Sequence, residues 1–437
     1  MNEVFIKNLT KQEACNMCQN ASDGKLVDGL FVGRELETKA ILKRIENATN
    51  GNGSAVFIVG KNGLGKSKFV DHVISIARNE LDDVISRFEI KAGIRFAGTG
   101  ARGLYHQFIE NLSVRTKPEG AALETLLQNF IMKVQEDMEE DNSMKPLAEQ
   151  CVEVILKATE GHEINTAFAR VIGLYIHASN SKNFELLGYA LKWLKGEYQQ
   201  RKDARHDLGP DADIIINDEN AIAMLNNWIH LFSYMGKTTI LAIDELQRLA
   251  ILEESVARKN WDVIMDLYEK SNRMNVVFLF TGTNELIDRY NKRGLFSNPD
   301  LSSRLGGKTF NKEGLADFSQ SIIYLSAITN PYEHMDLLDS LKKLKEVAIG
   351  RELPVSESDL QKYLSKIKKE KEIYDPKLCI SENEVNVPMR DIQKDFMRIL
   401  SLMEYYPEKS FSELCGFDTQ SSQTEENSIN NEKIEVL

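Results

Sequence analysis

The segment that most constrains the fold of this chain is Gly60-Lys61-Asn62-Gly63-Leu64-Gly65-Lys66-Ser67. Its first and sixth residues are glycines, and Lys and Ser follow the sixth, which is the spacing of a phosphate-binding loop. Residues 55–59 before it are an apolar run typical of a buried strand, and residues 67–77 after it have helical spacing. This strand–loop–helix order predicts a parallel α/β sheet that binds a nucleoside triphosphate. A chance Gly-rich turn is the alternative.

The chemistry of such a loop depends on backbone N–H groups and on the positive end of the helix that follows. Glycines let the backbone curl around phosphate oxygens, and the helix start favours their negative charge. We expect the Lys66 ammonium to contact the β- and γ-phosphates and the Ser67 hydroxyl to hold Mg²⁺. The residues expected to contact the nucleotide are Gly60, Asn62, Gly63, Gly65, Lys66, Ser67 and Lys68.

A second nucleotide signature is the apolar run 240–243, which ends in Asp244 and Glu245. A central strand of a parallel sheet delivers such acids to its carboxyl end, where ligands bind. We expect Asp244 to hold Mg²⁺, directly or through water, and Glu245 to polarise the water that attacks the γ-phosphate. A buried strand followed by an acidic helix cap is the alternative. The paired acids favour hydrolysis, because a pure nucleotide sensor does not need Glu245.

Polar residues also follow the next predicted strand, at 276–281. Thr283 or Asn284 would lie beside the strand that carries Asp244, where either side chain could orient the attacking water and report loss of the γ-phosphate. The alternative is that one of them caps the N-terminus of a helix. Both therefore join the candidate catalytic residues.

Composition indicates which kinds of partner this protein has and in which cellular compartment it works. Its 54 Lys and Arg residues are outnumbered by 66 Asp and Glu, and the net charge of −12 argues against a protein that coats nucleic acid. Basic residues between 342 and 371 leave two interpretations open, a local nucleic-acid surface or a solvated helical face. No apolar run is long enough to span a membrane, and five scattered cysteines favour a reducing cytoplasm. Cys15 and Cys18 form a lone CxxC pair, so zinc is not expected.

The order of predicted elements suggests four segments. Residues 1–27 form a polar N-terminal extension, and residues 28–309 form a P-loop NTPase core in which strands alternate with helices. A large helical insertion interrupts this core at about 105–235. Helices dominate residues 310–417, which we expect to form a C-terminal domain. The tail at 418–437 is expected to be disordered because it has little to bury.

Segments in a recognisable order make the chain resemble the BREX-system ATP-binding domain family, whose BrxD-like members are P-loop ATPases of the AAA+/STAND-type superfamily. They lie at residues 94–105, 205–209, 216–221, 241–246, 282–283, 293–296, 301–305 and 387–391. The last of them is similar to the family's Thr-Pro-Arg segment, although Met389 interrupts the Pro-Arg pair. The resemblance runs from about residue 30 to 405.

The resemblance implies ATP as the nucleotide, together with Mg²⁺. It implies that Gly33 and Arg34 line the adenine pocket. It also implies that residues 310–417 form a helical or winged-helix-like lid in which Arg390 faces the nucleotide. Arg304 would act in trans as an arginine finger on a neighbouring subunit, and a surface ion pair is the alternative.

The resemblance further implies a role as an ATPase component of a prokaryotic anti-phage defence system. The implied partners are double-stranded DNA, a helicase or other proteins of the defence cluster, and further copies of this chain. ATP-driven closure would then couple the nucleotide state to one of these partners. The alternative is a signalling switch that holds ATP or ADP without turnover and assembles on a trigger.

Overall fold

The chain divides into two compact units, a sheet unit and a helical unit. The computed structural model describes residues 9–22, 34–62, 64–80, 83–89, 100–114, 122–141, 145–158, 163–212, 214–271, 274–287, 293–294, 321–325, 331–374, 379–381, 384–385 and 389–417. The sheet unit takes the described residues of Leu36–Gly60 and Val73–Tyr324. The helical unit takes those of Met1–Glu35, Lys61–His72 and Leu325–Leu437.

Helices and strands are numbered here in chain order over the described residues. The strands are β1 (Ser54–Val59), β2 (Asp83–Glu89), β3 (Leu112–Val114), β4 (Thr238–Asp244), β5 (Val276–Gly282), β6 (Ile322–Tyr324), β7 (Cys379–Ser381) and β8 (Glu384–Val385). The α-helices are α1 (Lys11–Ser22), α2 (Glu35–Thr49), α3 (Lys66–Glu80), α4 (Gly100–Glu110), α5 (Ala122–Asp141), α6 (Leu147–Ala158), α7 (Glu163–Ser181), α8 (Phe184–Leu194), α9 (Arg201–Leu208), α10 (Ala221–Tyr234), α11 (Glu254–Ser271), α12 (Pro331–Ile349), α13 (Glu357–Tyr374), α14 (Met389–Tyr405) and α15 (Phe411–Leu414). Short 3₁₀ turns cover Pro210–Ala212, Leu246–Leu249 and Asn284–Ile287.

The sheet unit is built on a six-stranded sheet of order β3-β2-β4-β5-β1-β6. Neighbouring strands are parallel from β2 through β6, and β3 pairs antiparallel with β2 at the edge. The central strands β4 and β5 are buried along their whole length, as their continuous apolar runs require. The predicted α/β class with a parallel sheet is confirmed.

One apolar core joins the sheet to the helices of the sheet unit. Helix α11 packs against β1 and β5, and α10 packs against β4. Within the sheet the rings of Phe57 and Phe280 stack with their centroids 4.8 Å apart, across the β1–β5 pair. Three buried tryptophans also have hydrogen-bonded indole N–H groups: Trp193, Trp228 and Trp261.

Helix α4 begins earlier than the sequence indicates. The glycines at 98, 100 and 103 predict a loop with a helix starting near Leu104, whereas the helix starts at Gly100. A distant side chain explains the difference, because Asp218 Oδ1 accepts the Arg102 backbone N–H at 2.9 Å and so caps the first turn. The Arg102 guanidinium in turn donates to the carbonyls of Gly196 and Tyr198 at 2.9 and 3.1 Å. Arg102 therefore links α4 to the segment after α8 and to the segment before α10.

The helical unit has its own apolar core, to which α1, α12, α13, α14 and α15 contribute. Helix α1 buries Ala14, Cys18 and Ala21 against α12 and α14. The Gln393 amide donates to the carbonyl of Ala21 at 3.1 Å and fixes one end of α1. A residue from the predicted N-terminal extension thus completes the core of helices more than 300 positions later in the chain.

Several short strands are absent from the sequence-based prediction. Strands β3 and β6 have three residues each, and β7 and β8 pair antiparallel as a separate ribbon. Segments of this length carry too few residues for alternation to be recognised. The boundaries predicted for the insertion, the C-terminal domain and the tail stay predictions, and the tail lies outside the described residues.

Candidate nucleotide site

The candidate site lies at the carboxyl edge of the sheet, where parallel strands β1, β4 and β5 end. Val59 is in register with Gly282, and Ile243 with Phe280, so Asp244 and Thr281 follow as the next pair. The Gly60 N–H, the first of the predicted phosphate loop, donates to the Gly282 carbonyl at 3.2 Å. Ligands of open parallel sheets bind at this edge.

The described part of the predicted phosphate loop contains one left-handed glycine and a buried lysine. Gly65 has φ +77°, a left-handed conformation that glycine adopts without a steric penalty. Its carbonyl accepts the Phe69 N–H at 2.7 Å and opens α3. Lys66 is 8% exposed, and its ammonium donates to the Lys61 carbonyl at 3.0 Å. The lysine is therefore folded back onto its own loop.

The other residues expected to contact the nucleotide lie in the loop and in the first turn of α3. Ser67 stands in the first turn of α3, and Asn62 is exposed. Lys68 lies one residue further along the helix, with its ammonium 3.5 Å from an Asp71 carboxylate oxygen. Gly63 lies outside the described residues. A loop with exposed middle residues and a helix behind it can present N–H groups to an anion.

Asp244 is a buried carboxylate at the end of β4, 8% exposed. Its Oδ1 accepts the Thr281 hydroxyl from β5 and the Glu245 backbone N–H, the latter at 2.8 Å. Its Oδ2 faces the Arg87 guanidinium of β2 at 4.0 Å, which is too long for a hydrogen bond. Oδ1 is thus held by two donors, whereas Oδ2 faces a guanidinium. A carboxylate is a ligand type that Mg²⁺ accepts, and Mg²⁺ at Oδ2 would have to share it with the Arg87 charge.

Glu245 leaves the strand in an unusual backbone conformation, with φ 64° and ψ 35°. A non-glycine residue in this left-handed region is strained, and such strain concentrates at functional sites. Its Oε2 accepts the Gln247 amide at 2.8 Å and lies 3.2 Å from Arg248 Nε. Both contacts fall on the same oxygen, which leaves Oε1 as the one that could take a proton from water.

The structure separates Thr283 from Asn284, which the sequence left as alternatives. Thr283 is 6% exposed, and its hydroxyl has no hydrogen-bond partner within the described part of the chain. Asn284 is exposed and opens a 3₁₀ turn. The two candidates therefore differ, since Thr283 is buried with a hydroxyl that has no partner among the described residues and Asn284 is open to solvent.

The remaining predicted residues lie elsewhere or outside the described ranges. Arg34 is buried, has φ 72° and immediately precedes α2. Arg390 occupies the first turn of α14. Gly33 and Arg304 lie outside the described residues, so their assigned roles stay predictions.

Sequence reasoning missed four residues that contact the acids: Arg87, Gln247, Arg248 and Thr281. Thr281 had a weak signal, because it is a lone hydroxyl directly after the apolar run 276–280, and the strand register then sets it opposite Asp244. Gln247 and Arg248 directly follow the acids, yet only the 3₁₀ turn brings their side chains back onto Glu245. Arg87 had no signal, since its role depends on which strand β2 joins.

Comparison with known proteins places the chain in a family. The family model described as "BREX system ATP-binding protein BrxC/D" matches residues 25–419. No curated protein matches the chain. Among the helices that the structure describes, none has the length and apolarity required to cross a bilayer.

Proposed function

The chain belongs to the family of BREX system ATP-binding proteins, and we propose that it is a Mg²⁺-dependent ATPase of that defence system. ATP binding and the BREX role follow from the family. Hydrolysis is our proposal, and the strongest support for it is the different environment of two adjacent acids. Two adjacent acids at the carboxyl edge are held differently, Asp244 buried and fixed by two donors, Glu245 half-exposed with one oxygen open.

Each residue has a distinct task in this proposal. Lys66 would balance the charge of the phosphates, and the Thr283 hydroxyl would bond to the γ-phosphate or to the attacking water. The Glu245 carboxylate would accept the proton of that water. Ser67 and Asp244 would hold Mg²⁺, which when bound offsets charge on the phosphate oxygens.

A signalling switch is the second candidate function, and the ion pair between Arg248 and Glu245 favours it. The arginine pairs with Oε2 at 3.2 Å and restrains the carboxylate, so turnover would stay low until Arg248 releases it and Oε1 can turn toward the water. A partner could cause this movement. We propose double-stranded DNA, a helicase of the defence system or a second copy of the chain, whose Arg304 would then act in trans.

Turnover measurements on two variants test the assignment of the base and the phosphate lysine. We expect Lys66→Ala and Glu245→Gln both to abolish ATP hydrolysis, with ATP retained by Glu245→Gln alone, because only the lysine contributes to binding phosphate. Lys39→Ala and Glu357→Gln, which change exposed residues of α2 and α13, serve as matched controls. Wild-type hydrolysis by Glu245→Gln would refute the assigned base.

Turnover with and without double-stranded DNA separates the two candidate functions. Stimulation by DNA supports an ATPase that acts on DNA. Low turnover that DNA does not change, together with assembly that depends on the bound nucleotide, supports the switch. Assembly is measured as the mass of the particle in ATP and in ADP.

A further inference from the structure

A continuous chain of hydrogen bonds joins the start of the phosphate loop to the Glu245 carboxylate. The Gly60 N–H donates to the Gly282 carbonyl at 3.2 Å. The same peptide group carries the Thr283 N–H, which donates to Gln247 Oε1 at 3.2 Å. Gln247 Nε2 then donates to Glu245 Oε2 at 2.8 Å. The Gly282–Thr283 peptide and the Gln247 side chain therefore connect Gly60, at the end of β1, with Glu245.

The orientation of the Gln247 amide follows from the chemistry of its two partners. A backbone N–H can only donate, and an ionised carboxylate can only accept. Oε1 must therefore face Thr283 and Nε2 must face Glu245, since the flipped amide would lose both bonds. Gln247 is the residue through which both of these groups are linked.

The space around the shared peptide is suited to this contact. A Cβ on Gly282 would lie 3.5 Å from Gln247 Oε1 and 2.7 Å from a methyl group of Leu286. The Leu286 methyl group would have to move, whereas the distance to Gln247 is an ordinary van der Waals contact, so the glycine leaves room for Leu286 beside the link. Hydrogen bonds in series polarise one another, which makes such a link stiffer than its separate parts.

We propose that Gln247 is a positioning residue that sets the Glu245 carboxylate according to the position of the Gly282–Thr283 peptide. A nucleotide that engages the phosphate loop or Thr283 would move this peptide, and Gln247 would transmit the movement to the base. The proposal rests on the proposed ATPase function. It adds a residue that acts through Glu245. Gln247 would position the carboxylate oxygen Oε2, whereas Arg248 would restrain the same oxygen.

Two substitutions of Gln247 separate its donor from its acceptor. Gln247→Met keeps the length of the side chain and removes both bonds. Gln247→Glu keeps an acceptor for the Thr283 N–H and replaces the donor to Glu245 with a repelling charge. Gln361→Met, at an exposed position of α13, is the matched control.

We expect both Gln247 variants to lower kcat about 10- to 100-fold with KM for ATP unchanged within about threefold, because a misplaced catalytic group costs rate rather than binding. Amide hydrogen exchange at Thr283, followed by mass spectrometry without nucleotide, should be faster in Gln247→Met and near wild type in Gln247→Glu. The control should change neither quantity.

Wild-type kcat in Gln247→Met, or a loss expressed mainly in KM, would overturn the positioning role. Unchanged exchange at Thr283 in Gln247→Met would overturn the hydrogen-bonded link itself. A wild-type protein without any turnover would refute the ATPase proposal instead. The exchange measurement would still decide whether Gln247 connects the two groups, since it requires no hydrolysis.

Discussion

The contribution of the Thr281–Asp244 hydrogen bond to stability can be measured by comparing two buried threonines on neighbouring strands, one with a hydrogen-bond partner and one without. Thr281 of β5 is 1% exposed and donates its hydroxyl to Asp244. Thr239 of β4 is fully buried, and its hydroxyl has no partner among the described residues. Replacing either by Val exchanges a hydroxyl for a methyl group at nearly the same shape. We predict that the two substitutions change stability in opposite directions.

The expected magnitudes follow from what each hydroxyl does. A hydrogen bond to a charged group contributes about 1.5–3 kcal/mol. Asp244 keeps the Glu245 N–H in Thr281→Val, so we expect a cost near the lower half of this range, about 2 kcal/mol. Thr239→Val removes a buried polar group that has no partner, which should stabilise the fold by about 1 kcal/mol.

Scanning calorimetry of the two variants measures this difference. For a unit of this size, about 2 kcal/mol corresponds to a fall of roughly 4–8 °C in Tm for Thr281→Val. Thr239→Val should melt at or above the wild-type temperature. Equal destabilisation by both substitutions would show that the Thr281–Asp244 bond contributes nothing specific, and the account of Asp244 as a fixed carboxylate would fall.

Three further predictions concern residues away from the acids. Tyr105→Phe should cost about 1–3 kcal/mol by denaturant unfolding, because the Tyr105 hydroxyl accepts the Trp228 indole N–H and donates to the Leu194 carbonyl in the core. In the native protein a maleimide should label the exposed Cys15 rapidly and the buried Cys18 only on unfolding, as peptide mapping would show. Burial raises the pKa of the Cys18 thiol to about 11, so above the ordinary thiol pKa near 9 the unfolded chain binds fewer protons than the folded one. Between about pH 9 and pH 11, stability should then fall with rising pH by up to about 1.4 kcal/mol per unit from this thiol, and Cys18→Ala should remove that part of the slope.

The fold and the acids were predictable because their signals are local. A short apolar run that ends in charged residues has few alternatives to a buried parallel strand, and this applies to Asp244 and Glu245 alike. The predicted loop geometry is also local, since Gly65 needs only its own backbone freedom.

The contacts that tune the acids were not predictable, because each depends on strand order or on a turn. Thr281 contacts Asp244 only because β5 lies next to β4. Helix α4 begins at Gly100 because a side chain 116 positions later in the sequence caps it. Tertiary contacts of this kind override local propensity, and a single sequence does not encode them as a pattern.

Helix α1 has a consequence for how this protein is made. Its partners α12 and α14 are synthesised about 300 residues after it, which at roughly 5–20 residues per second takes tens of seconds. During that time a 12-residue helix has no tertiary support and is marginal in water. The residues of the sheet unit up to Tyr324 are synthesised first. The helical unit can bury α1 only after α12 and α14 have been synthesised. An affinity tag or fusion placed close to α1 would therefore be carried by the segment that waits longest for its packing partners.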